Sequence, residues 1–117
     1  MIDKWDVVCF QVLWFAGAAE DVGKVEPIMV RSIDENLVDT EVQALIGDAK
    51  GLMLESTQLI NPIDPKVGDL IDAARAKVLD VRELLLEKLL NQGYEVVSIL
   101  SEDKGNFVDY VLKKLLV

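Results

Sequence analysis

Chemistry in this chain has to be done without histidine, which occurs nowhere among its 117 residues. Serine and cysteine nucleophiles that rely on an imidazole base, histidine-glutamate zinc hydrolases and histidine-bearing di-iron bundles each lose a required group. The single cysteine, Cys9, cannot assemble a thiolate metal site or an intrachain disulfide. Set in the apolar run 7–19, it reads as a buried core thiol. Carboxylates are plentiful, and Asp34, Glu35, Asn36, Asp39 and Glu41 partly imitate a calcium loop. Counted from Asp34, however, Asp39 stands where the loop needs glycine and Leu45 where it needs the bidentate glutamate. A second acidic group, Asp69, Asp72, Asp80, Glu83 and Glu87, shares one side of a helix and reads as a solvated ridge. Gly47 and Gly51 lie inside a helical pattern, and Lys104-Gly105-Asn106 lacks the spacing of a phosphate loop. The chain is therefore expected to carry no catalytic residue, no metal site and no cofactor.

The elements around these residues read as helices. In the opening run "VVCFQVLWFAGAA" both strand faces are apolar, Val8, Phe10, Val12 and Trp14 against Val7, Cys9, Leu13 and Phe15. A helix would instead gather Lys4, Gln11 and Ala18 into one polar stripe at spacing seven. Pro27 suits the first turn of a second helix with Ile28, Met29, Ile33 and Leu37 on one side. Thr40-Glu41-Val42-Gln43 has the form of a capping box opening a third, along which Ala44, Gly47 and Gly51 make a smooth stripe. Asp64 caps a long helix near 65–92 with Pro65 in its first turn and Gly93 as a left-handed stop. Its inward face is Val67, Leu70, Ile71, Ala74, Val78, Val81, Leu85 and Leu89. Asn106 would cap a last helix carrying Phe107, Val108, Val111, Leu112 and Leu115. The segment "YEVVSIL", 94–100, suits a strand as readily as a helix. The expected fold is thus all-α, a bundle of about five helices in one domain over 1–117 with a long central helix. The alternative is α+β, with short strands at 7–15 and 95–100 paired to each other.

Charge limits the partners. With 21 acidic and 12 basic side chains the net charge is −9, which disfavours nucleic acid and anionic lipid. The first 64 residues hold 12 acids and 4 bases, net −8, and could attract a basic protein. The apolar run is too short to span a bilayer, which takes about 20 residues. It also lacks the positive flank of a secretion signal, since Lys4 is offset by Asp3 and Asp6. A cytoplasmic protein is expected. An opening helix with so narrow a polar stripe needs cover from a second copy. The functional expectation is therefore a non-catalytic assembly module, a homodimer joined through apolar helix faces at Phe10, Trp14, Phe15, Gly47 and Gly51. The alternative is a helical small-molecule or metal binder, or an enzyme, with Trp5, Trp14 and Phe15 lining a pocket between helices.

Overall fold

The computed structural model describes residues 4–14, 27–58, 64–102 and 106–116. It overturns the all-α expectation: among these residues four antiparallel strands and two long helices make an α+β protein. The strands are β1 (Lys4–Trp14), β2 (Ile28–Arg31), β3 (Glu95–Glu102) and β4 (Phe107–Leu116), in sheet order β2-β1-β4-β3. The helices α1 (Thr40–Thr57) and α2 (Pro65–Asn91) run between β2 and β3, after a 3₁₀ turn at Glu35–Leu37. The opening, second and last of the expected helices are β1, β2 and β4. The strand-bearing alternative placed its two strands close to β1 and β3 but paired them together. Here β4 lies between them, bonded to both.

The opening segment is a strand because its two faces do different things, even though both are apolar. Phe10, Val12 and Trp14 turn into the core with Val108, Tyr110 and Leu112 of β4, and Phe10 stacks on Tyr110 with ring centroids 4.7 Å apart. Trp5, Val7 and Cys9 face outward and are exposed. Gln11, the residue that suggested a helical stripe, sits on that outer face in register with Arg31 on one side and Asp109 on the other. Its polarity belongs to a cross-strand row, not to a helix surface. The same pattern explains β4. Val108, Tyr110 and Leu112 are buried at every second position, whereas Asp109, Val111 and Lys113 are partly exposed, the period-two signature of a strand packed on one side.

The helices cover the inner face. Ala74, Val78, Val81, Leu85 and Leu89 of α2 are buried, with Val42, Ala49 and Met53 of α1, in one cluster with the strands. At the start of α1 the cap is Asp39, one residue before the Thr40 of the expected capping box. Its carboxylate accepts from the Glu41 and Val42 amides, and Gln43 donates to the Val38 carbonyl. Asp64 caps α2 by accepting from the Lys66 amide. Gly93, with φ +95°, ends it, a backbone angle that a residue bearing Cβ adopts only with strain.

Candidate interaction surface

The groups that could do chemistry are spread apart or already engaged. Cys9 is exposed on the outer sheet face, in place of the expected core position. The would-be calcium loop is taken up by local structure. Asp34 accepts from the Asn36 amide in the 3₁₀ turn, while Asp39 caps α1 and pairs with Lys88 from the last turn of α2. That bond holds the Asp39 carboxyl below its usual range, helped by the Val42 amide, and raises the Lys88 ammonium. Asp69, Asp72, Asp80, Glu83 and Glu87 are all exposed. Among the described residues no group of three or more potential ligands is placed to hold a metal ion.

The expected contact residues separate. Phe10 and Trp14 are core, 1% and 5% exposed, so neither presents a surface to a partner. Phe15 lies outside the described residues. Gly47 and Gly51 lie on an open side of α1, where a Cβ added at either would meet nothing within 4 Å. Gly47 also borders an apolar groove of about 430 Å³ between α1 and β2, with Ile28, Val30, Val38 and Ile46.

A second cleft, about 350 Å³, lies where Trp14 meets α2, lined by Asp72, Arg75, Ala76, Val78, Leu79 and Arg82. Arg75 donates to the Asn106 side chain at 3.3 Å. Burial pushes the Arg82 guanidinium below its usual pKa, and Arg75 acts in the same direction while Tyr110 opposes it. Tyr110 itself is raised by burial. Trp5 cannot join this cleft. It lies on the opposite sheet face, under the Lys113 ammonium at 4.2 Å, and Lys113 in turn pairs with Glu95 across the β3–β4 ladder.

The largest unanswered feature is apolar. Val96, Val97, Ile99 and Leu100 of β3 expose 41, 55, 51 and 56% of their surface. Trp5 and Val7 on β1 and Leu115 and Leu116 at the end of β4 are also exposed. In register, Val96 and Ile99 share the helix side with Leu112 and Tyr110, while Leu100 shares the outer side with Asp109. The edge strand β3 is therefore apolar on both faces, and the helices leave its inner face uncovered. The strand reading of 94–100 paired it with the opening segment, and 107–116 read as a helix, so the position of this segment at a sheet edge did not show. A sharper signal was present. Two β-rich runs flank the four residues 103–106, which include Gly105, and that is a hairpin pattern.

The fold and this surface define a small α+β protein whose antiparallel sheet, among the described residues, carries an apolar edge strand with no further strand paired to it. No family model, curated protein or solved structure matches the chain. Among the described residues no helix is long and apolar enough to cross a membrane.

Proposed function

We propose that this protein is a non-catalytic assembly module that works by self-association in the cytoplasm. The observation supporting it is the concentration of half-exposed Val, Ile and Leu side chains on β3 and the adjoining end of β4. Contiguous apolar surface of several hundred Å² is typical of interaction sites and uncommon on isolated monomers. The contact therefore moves from the helix faces to the sheet, since Phe10 and Trp14 are consumed by the core. A single exposed thiol fits a reducing compartment. A basic protein remains the natural second partner for a chain of net charge −9. Sedimentation velocity at micromolar concentration tests the reading. A species of twice the 13.0 kDa chain mass, or larger, supports it, and a monomer at that concentration refutes it.

One observation favours a small-molecule binder as the second reading. The cleft beside Trp14 is large enough for a compact ligand and combines an indole with two guanidinium groups, a setting that suits an aromatic carboxylate. A thermal-shift titration with benzoate-class acids tests it. Stabilisation that vanishes on Leu79→Trp, which fills the cleft, supports this reading, and no shift at millimolar ligand removes it.

A further inference from the structure

The two edges of the sheet are built differently. The β2 edge is four residues long, ends at Arg31 followed by Ser32 with φ 63°, and borders α1 through the apolar groove. Those are features that blunt an edge against pairing. The β3 edge shares none of these and carries one interruption, the bulge between Val96 and Ser98. It runs eight residues without proline, lysine or arginine, and its middle six residues, 96–101, carry no charge.

We infer that β3 pairs antiparallel with β3 of a second copy, joining two four-stranded sheets into one eight-stranded sheet with all four helices on the same side. This rests on the self-association reading and names its geometry. An incoming strand must present apolar residues to both sheet faces, and β3 itself supplies that pattern. Two identical strands meeting antiparallel are related by a two-fold axis, the symmetry that closes a dimer.

Face matching then restricts the register. Helices stay on one side only if each residue meets a partner residue of the same face. From Ser98 onward, Ser98, Leu100 and Glu102 are outer and Ile99 and Ser101 are inner. Because Val97 is the extra residue at the bulge, Glu95 and Glu102 both stand on the outer face, three ladder positions either side of Ile99. With the axis at Ile99, that residue faces its own copy on the helix side and Ser98 faces Leu100 on the outer side. With Val97 bulged out between Val96 and Ser98, Val96 then faces Ser101 on the helix side and Glu95 faces Glu102 at each end of the pairing, a like-charge contact that opposes it. Four half-exposed aliphatic side chains and an unpaired backbone edge from each copy amount to roughly 1,000 Å² of covered surface in total, about the least a specific dimer needs.

The test uses the full chain with Cys9→Ser to remove the native thiol. Ile99→Cys in that background should give a disulfide-linked dimer on mild oxidation, because directly opposed residues of an antiparallel pair have Cα atoms about 4.5–5.5 Å apart, within disulfide range. Val7→Cys, exposed on the inner strand β1, should stay unlinked. Ile99→Lys, with far-UV circular dichroism unchanged, should weaken dimerisation by ~100-fold or more, since like charges would face each other across the axis. A dimer that survives Ile99→Lys and gives no Ile99→Cys crosslink overturns the β3 pairing and leaves self-association standing. A monomeric unmodified chain overturns both.

Discussion

Replacing Phe10 by alanine should be among the most damaging single changes in the protein, whereas Cys9→Ser beside it should be nearly silent. Phe10 is 1% exposed, belongs to the main core and stacks on Tyr110 with an interplanar angle of 12°. Truncating a buried phenylalanine costs about 3–5 kcal/mol through lost transfer energy and the cavity left behind. The aromatic pair accounts for roughly 0.5–1.5 kcal/mol of that. Against a total stability of about 5–15 kcal/mol and a urea slope of about 1–3 kcal/mol/M, the midpoint should fall by ~2 M. Cys9 is exposed on the opposite face, and a change there should stay within about 0.5 kcal/mol. Urea unfolding followed by circular dichroism reads both, at one fixed protein concentration because association adds to apparent stability. A helix would invert the pair, since it buries Cys9 with Trp5 and Val8 and turns Phe10 outward. A cost below about 1 kcal/mol for Phe10→Ala, exceeded by Cys9→Ser, would therefore refute the strand argument.

Three further outcomes follow from local geometry. Gly93→Ala, at φ +95° with the Lys114 side chain 3.4 Å from the new Cβ, should lower stability by about 1 kcal/mol in the same urea assay. Asp39 is held below its usual carboxyl pKa by Lys88 and the helix amides. Its stabilising effect is thus present above the unfolded carboxyl pKa and lost as pH falls through the lowered one, so Asp39→Asn should flatten the acid limb of stability against pH. Tyr94 is raised by its hydrogen bond to Asp6. That bond stabilises fully below the unfolded phenol pKa and is lost as pH rises through the raised one, so Asp6→Asn should bring Tyr94 ionisation to lower pH in an ultraviolet titration.

The helical middle of the chain was legible because its signals are local. Asp64-Pro65 at one end and Gly93 at the other bound a 27-residue helix, and the buried Ala74, Val78, Val81, Leu85 and Leu89 all stood on the expected inward face. The sheet was not, because what holds it is distant in sequence. β1 pairs with β4 in a register from Lys4↔Leu116 to Leu13↔Phe107, and no window of neighbouring residues contains such a contact. Locally, the outer face of β1 also misled. An alternation test expects polar residues there, but Trp5, Val7 and Cys9 are not polar, and Leu13 is buried in register with Met29 and Phe107. Reading Phe10 and Trp14 as a surface followed directly from winding that segment into a helix. The β3 patch was legible as composition in "YEVVSIL", but its standing at an edge depends on strand order.

Charge supplies a way to tell a second copy from a basic partner. Each chain carries −9, so bringing two copies together costs repulsion, whereas a cationic partner would be attracted. For centres of charge roughly 30 Å apart in water, the repulsion is about 11 kcal/mol unscreened and about 0.6 kcal/mol with a 10 Å Debye length at 0.1 M salt. At 1 M the Debye length is about 3 Å and the repulsion is gone. Self-association through the uncharged residues 96–101 of β3 should therefore tighten by roughly threefold as sodium chloride rises from 0.1 to 1 M. A contact built on acidic residues and a basic partner should weaken over the same range. Sedimentation equilibrium at the two salt concentrations decides. Dissociation of the self-associated species at high salt would show that its contact is electrostatic, and would rule out an apolar strand edge as what holds the copies together.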